Sequence, residues 1–261
     1  MLNPIALQIG PLSIHWYGIA YLIALVLGYW ILTLLNKKRK VFKNNMQILD
    51  LIFWIFLLGV ILGGRLGYVL FYNFSFYLTH PIEIFSLWKG GMSFHGGLIG
   101  SLIVSYVFFR KNKINFLKAA DLVVIVAALA QGIGRIGNFI NRELIGRPIA
   151  DHRWDFLGMD FGDGVLRYPS QLFQSAEAFL TFLILLFIFS RKPKKGVLLF
   201  SYLILNGGFR VFSEFFREPD MQIGFLFGFM TLGQLLGVGV LLMGILGFIF
   251  QIQIRKARFL N

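Results

Sequence analysis

Residues 131–146, QGIGRIGNFINRELIG, place Gln131, Arg135, Asn138, Asn141, Arg142 and Glu143 at the end of the apolar run 122–130. A charged side chain at membrane depth is costly, so Arg135 implies a partner or a ligand. Gln131, Arg135 and Asn138 recur at i, i+4 and i+7, which puts them on one helix face pointing into a polar interior or cleft. This face is the candidate site. A second polar group follows near the end of the chain, where Arg210, Glu214 and Arg217 repeat the same spacing and present plus, minus, plus on one face. It reads either as a solvated salt-bridge ladder or, preferably, as half of an anion clamp shared with Arg135 and Arg142. Arginine forks match phosphate oxygens in pairs, and the abundant phosphates at a membrane surface are phospholipid headgroups. The expected small-molecule ligand is an anionic lipid.

Two further motifs carry candidate chemistry. In GGMSFHGGLIG, residues 90–100, Ser93 could cap a helix, and the flanking glycines would open backbone and ring of His95 to a substrate. A lone histidine is usually structural, but this one lies at membrane depth among glycines and can exchange a proton near neutral pH, so a chemical role is open to it. In GGRLG, Arg65 sits among Gly63, Gly64 and Gly67 and must find a carboxylate, a carbonyl or an anionic ligand. The segment His15, Trp16, Tyr17, Gly18 opens the first apolar run, where aromatics commonly form an interfacial belt; Tyr17 is open to that role or to a place in the site. Gly132, Gly134 and Gly137 also spell GxGxxG. That pattern signals a dinucleotide only between a strand and a helix of a soluble unit, and inside an apolar helix small residues serve close packing instead.

The elements that must position these residues are transmembrane helices. Hydrophobic residues make up 57% of the 261 and charged residues only 14%, with a mean hydropathy of +0.73, far from soluble domains. Apolar runs of about 20 residues predict an all-α polytopic fold with seven spans, at 14–35, 48–72, 93–109, 118–140, 170–189, 197–216 and 225–250. Residues 1–261 form a single membrane-embedded domain in this reading, with 141–169 as an external cap between spans four and five. The aromatic loop 73–91 reads as an interfacial segment.

A net charge of +13 could suggest nucleic acid, but its placement argues against it. Sixteen basic residues fall on alternate connections that contain no acid: Lys37 to Lys43, Arg110 to Lys118, Arg191 to Lys195, and Arg255 to Arg258. The opposite connections hold Lys89, Arg142, Arg147, Arg153, Arg167 and Arg217, mixed with most of the acids. The positive-inside rule then predicts the N-terminus outside and the C-terminus cytoplasmic. No basic region precedes the first apolar run, so a retained helix is expected rather than a cleaved signal. The absence of cysteine excludes disulfides, thiolate metal sites and a cysteine nucleophile, so any thiol must come from a partner. The four histidines are scattered, and Asp151, Asp155, Asp160 and Asp163 lack calcium-loop spacing; neither metal nor cofactor is expected.

HWYG at His15, GGRLGYVLFYNF at Gly63, GGMSFHGGLIG at Gly90, GRIGNFINRELIGRP at Gly134, YPSQLF at Tyr168 and FRVFSEFFREPD at Phe209 together resemble the prolipoprotein diacylglyceryl transferase family, in order along nearly the whole chain. The resemblance implies a multi-pass enzyme of the bacterial inner membrane with its active site toward the outer face. Such an enzyme moves diacylglyceryl from phosphatidylglycerol to the lipobox cysteine of a preprolipoprotein signal peptide and releases glycerol phosphate. It places the signature arginine and asparagine on Arg135 and Asn138, followed by Glu143 and Gly146. The motif histidine falls on His95, the first-span tyrosine on Tyr17, and the late arginine and glutamate on Arg210 and Glu214. In this reading Arg135 and Arg210 clamp the phosphate, Asn138 orients it, and His95, Glu143 or Glu214 takes the thiol proton. Arg65, Gln131, Asn141 and Arg217 support them. Tyr168 and Gln174 depart from the family's common HPSQLYE and are read as peripheral. The rival class is a lipid or small-anion transporter; no internal repeat supports it, and the polar residues gather at one face. A non-catalytic scaffold would leave the buried polar residues without a purpose.

Overall fold

The computed structural model describes residues 3–10, 12–219, 224–226 and 228–259, without the side chains of 12, 89 and 254–259. The expected basic contributions of Lys89, Arg255, Lys256 and Arg258, and Asp220 of the late motif, lie outside what is described. Among the described residues the protein is all-α apart from three short antiparallel strand pairs. It divides into two compact units, residues 32–119 and residues 1–31 with 120–261.

Five helices among the described residues are long and apolar enough to cross a membrane: Trp16–Arg39, Asn45–Phe71, Phe116–Ile140, Ser170–Ser190 and Leu232–Gln253. The other two expected spans are also helices, but Phe94–Lys111 has 18 residues and falls outside that set, and Val197–Ser213 has 17. Three boundaries differ from expectation. Ile14 lies in a hairpin of β1 (Ile5–Ile9) with β2 (Leu12–His15), so α1 begins at Trp16. Phe225–Leu226 pairs antiparallel with Met230–Thr231, and the last helix starts only at Leu232. Its start is set by a reciprocal cap: Thr231 Oγ1 accepts from Gln234 N at 3.1 Å, and Thr231 N donates to Gln234 Oε1 at 2.9 Å. The sixth span stops at Ser213, leaving Glu214 to Phe216 in a turn.

The unit of residues 32–119 contains α2 (Asn45–Trp54), which continues through a π-helical stretch (Ile55–Leu62) into α3 (Gly63–Phe71), then α4 (Phe74–Thr79) and α5 (Phe94–Lys111). The α3 and α5 backbones touch: a Cβ built on Gly67 would lie 2.7 Å from Gly96 Cα. Small residues at such a crossing let two helices approach to van der Waals contact in lipid, where no hydrophobic force draws them together. Gly96 and Gly100 are spent on this packing, whereas Gly90 has nothing within 4 Å and Gly97 only ordinary contacts from 3.6 Å.

In the second unit, α6 (Phe116–Ile140), α7 (Ser170–Ser190), α8 (Val197–Ser213) and α9 (Leu232–Phe259) follow α1. Its core includes Leu122, Ile125, Ala128, Leu185 and Leu198, each nearly inaccessible. Asp121 joins α6 to α8, its carboxylate accepting from Gly196 N at 2.6 Å and Leu199 N at 2.9 Å. A side chain from one helix thereby satisfies the free amides that open another. The three glycines of the GxGxxG pattern lie inside α6, where Gly132 packs on the Phe179 ring and Gly137 on Tyr17.

Candidate functional site

The end of α6 generates the first part of the site. Arg142 takes a left-handed conformation, φ 57°, its N–H bonding to Phe139 O at 3.1 Å while Glu143 N reaches Asn138 O at 2.9 Å. This is the Schellman pattern of helix termination, built on an arginine where glycine is usual. Folding the chain back brings Glu143 over the last turn, and its carboxylate accepts from Asn138 Nδ2 at 2.9 Å and Asn141 Nδ2 at 3.2 Å. Arg135 Nη1 donates to Asn138 Oδ1 at 3.4 Å, so Arg135, Asn138 and Glu143 form one chain of contacts. Glu143 is exposed and its backbone carbonyl is held by the fully buried Gln171, Nε2 to O 2.7 Å. Tyr17 lies beside this chain, within hydrogen-bonding reach of Asn138 and in the field of Glu143, with its hydroxyl 3.0 Å from that of Tyr21.

The second part is the end of α8. Glu214 is 2% exposed, and its Oε1 meets Arg210 Nη2 at 2.5 Å and Arg217 Nη1 at 3.0 Å. Its Oε2 accepts from Thr231 Oγ1 at 2.8 Å. The plus, minus, plus face is therefore a buried network, not a solvated ladder. The segment after α6 is stitched to it: Arg147 N bonds to Phe216 O, Arg147 Nε to Arg217 O, and Gly146 bridges Arg217 in a single antiparallel pairing. Gly146 has no room for a side chain, since a Cβ there would run into the carbonyls of Tyr168 and Phe216.

Between these parts lies a cavity of about 20 Å³, lined by Gln131, Arg135, Gln174, Glu177, Asn206, Arg210 and Ser213 among others. That is room for roughly one water. Gln131 Oε1 accepts from Asn206 Nδ2 at 2.8 Å. Arg135 stands in the field of Arg210 and Arg217, with Tyr17 and Glu214 acting in the opposite sense. Two cations facing one polar cavity have the sign and the donors to hold a phosphate, which enters only if the lining side chains part, since the space as it stands fits about one water.

Two of the expected site residues belong to the other unit. His95 is exposed in the first turn of α5, which Ser93 caps by accepting from Gly96 N at 3.2 Å. Arg65 is 3% exposed, and of the partners open to it the structure supplies carbonyls: those of Glu83, Ile84, Ser86, Gly90 and Gly91, at 2.5 to 3.3 Å. It thereby ties α3 to the loop that leads into the His95 helix.

In the connection after α6, Arg153 and Arg167 hold the Asp151 and Asp163 carboxyls below the usual carboxylate range through side-chain hydrogen bonds. Among the described residues no three His, Asp or Glu side chains converge as a metal site.

The sequence profile of the family described as prolipoprotein diacylglyceryl transferase matches residues 4–250. The chain belongs to this family. A phosphatidylglycerol–prolipoprotein diacylglyceryl transferase of Geobacter sulfurreducens is 41% identical over 245 residues, covering 94% of this chain and 93% of the relative. Proteins of the same name from Cupriavidus pinatubonensis and Pseudomonas fluorescens are 43% identical over 246 residues and 44% over 250, covering 93% and 94% of this chain and 89% and 91% of their own. Within this transferase family member, sequence reasoning overlooked Glu177, Gln171 and Thr231. Glu177 had a legible signal, being the lone charged residue of the otherwise apolar Ser170–Ser190. Thr231 had one for its cap, since Thr231 and Gln234 spell a T-x-x-Q capping box, but its bond to Glu214 and that of Gln171 to Glu143 join residues remote in sequence.

Proposed function

We propose that this protein transfers the diacylglyceryl group of phosphatidylglycerol to the lipobox cysteine thiol of preprolipoproteins, forming a thioether and releasing glycerol phosphate. The observation that carries the reading is the shared cavity of Arg135 and Arg210, backed by amide side chains and by Asn138 tied to Glu143. The two arginines bind the lipid phosphate and stabilise the charge that grows on it as the bond between glycerol carbon and phosphate oxygen breaks. Asn138 orients the headgroup, with Tyr17 beside it and Gln131 lining the clamp. Thiolate, not thiol, is the nucleophile, so the cysteine proton must leave. His95 is the preferred base and Glu143, the exposed carboxylate, the alternative. Glu214 suits the base role less, since both its oxygens already hold arginine or threonine donors. Arg65 orders the 83–91 loop that leads into the His95 helix, and Gly146 lets the 141–169 segment close against the end of α8.

The same proposal includes seven spans in a single membrane domain. The 18-residue α5 and 17-residue α8 would reach only about 27 and 26 Å at 1.5 Å per residue, which local bilayer thinning accommodates. The N-terminus faces outward, the C-terminus the cytoplasm, and residues 141–169 form a cap on the outer face of the bacterial inner membrane. Single cysteines placed in this cysteine-free chain at Asn112 and Asp155 test the orientation by labelling from each side; a label reaching Asn112 from outside would reverse it.

The activity test is to incubate purified protein in detergent with phosphatidylglycerol and a lipobox peptide and seek the thioether adduct by mass spectrometry. The wild type forms it and a folded Arg135→Ala variant does not. Normal turnover by Arg135→Ala would sink the clamp.

A further inference from the structure

Glu177 is the acid for which the proposed reaction has no use. It is the lone charged side chain of the membrane-crossing helix α7, a position that is costly unless it serves something. It lines the same cavity as Arg135 and Arg210 and interacts with the charges of both. Its Oε1 is buried with the Ser213 hydroxyl beside it and no bond within 3.5 Å among the described residues, in contrast to Glu214, whose two oxygens are fully engaged. One helical turn earlier Gln174 lines the same cavity, with its buried Nε2 likewise unpartnered. Residues at i and i+3 share a helix face, so a carboxylate at either position would look into the same space. The family pattern HPSQLYE carries its acid where this chain has Gln174.

We infer that Glu177 is a positioning residue that sets the charge of the arginine clamp, supplying from one turn further along α7 the carboxylate that is missing at Gln174. The inference rests on the clamp proposed above and deepens it. Two arginines facing one phosphate would hold it in either form, as the lipid diester with one negative charge or as the released monoester with up to two. When ionised, Glu177 sets a negative charge in the lining of the same cavity, which weakens both, and weakens the dianion more because the same potential acts on twice the charge. Glu177 therefore favours release of the product over the substrate. It makes no bond to the reacting atoms.

Removing that charge makes the prediction directional. In Glu177→Gln, binding of glycerol phosphate, measured by calorimetry on the detergent-solubilised protein, should tighten about ten-fold, and KM for phosphatidylglycerol should fall about three-fold, the square root of the first effect. The turnover number should fall as release becomes slower. Loss of a merely structural side chain would not lower KM and kcat together. Glu177→Asp, which keeps the charge, should stay near wild type, and the exchange Gln174→Glu with Glu177→Gln should restore wild-type glycerol phosphate affinity. Unchanged or weaker glycerol phosphate binding by a cooperatively melting Glu177→Gln protein overturns the inference, as does an exchange variant that folds but restores nothing. If Glu177→Gln does not fold, the exchange variant alone decides by the same readout. Glycerol phosphate binding does not require turnover, so a protein that forms no adduct yet binds glycerol phosphate more tightly after Glu177→Gln would refute the transferase reading and leave this inference standing.

Discussion

Glu214 offers the sharpest test of how the site is held. Its carboxylate joins Arg210, Arg217 and Thr231 in surroundings that leave it 2% exposed. Glu214→Gln keeps the shape and one acceptor oxygen but removes the charge that the two arginines share. Breaking a buried ion pair from one side costs about 3–5 kcal/mol, because the remaining charge is left uncompensated. With the amide still accepting one hydrogen bond, the lower figure applies, about 3 kcal/mol. For a chain of this length each kcal/mol moves the melting temperature by roughly 2–4 °C, so a fall of about 6–12 °C is expected. Thr231→Val removes one bond to the same carboxylate, about 1.5 kcal/mol, and also loses the α9 cap, whereas Thr231→Ser should keep both. The double variant Glu214→Gln with Thr231→Val should lose less than the sum, since both changes break the same contact. Melting can be followed through the five tryptophans in detergent. A Glu214→Gln protein melting within about 2 °C of wild type would refute the network as a source of stability.

Three other outcomes are expected. Asp121→Ala, which frees the amides of Gly196 and Leu199, should lower stability by about 1–2 kcal/mol, read by the same melting assay; no change would mean that α8 needs no cap from α6. Gly67→Ala should force α3 from α5, where a Cβ meets Gly96 Cα at 2.7 Å, costing about 1–3 kcal/mol and reporting as weaker amide exchange protection in both helices; equal protection would show the contact to be loose. Asp151 and Asp163 are held below the ordinary carboxylate range, so their ion pairs are fully present above the unfolded value of about 3.9 and are lost as pH falls through the lower folded values. Carbon NMR titration should find both midpoints below that value, and ordinary midpoints would refute the pairing.

Much of the site was legible because it is written in helical spacing. Gln131, Arg135 and Asn138 at i, i+4, i+7 occupy one face of α6, and Arg210, Glu214 and Arg217 do the same around the end of α8. Helix ends were less legible. Arg142 in a left-handed conformation ends α6 without the glycine that marks such a turn, and Thr231 with Gln234 starts α9 seven residues inside an apolar run. In each case local hydrogen bonding overrode hydropathy, which averages over about 20 residues and cannot resolve a cap. Arg65 shows the same limit from another side: its burial followed from the sequence, but not the five carbonyls that receive it.

The sequence by itself determined the class of the protein, the helical course of its seven apolar runs, the side chains on each polar face and the family to which they belong. These are properties of composition, period and motif, and each is carried by neighbours along the chain. Only the tertiary structure decided that Glu143 pairs with Asn138, that Gln171 holds the Glu143 carbonyl, that Thr231 completes the Glu214 network and that Glu177 shares a cavity with Arg135 and Arg210. Such partners are chosen by how helices cross and where loops fold back, because a buried polar group takes the donor or acceptor that packing brings within about 3 Å, whatever its distance in sequence.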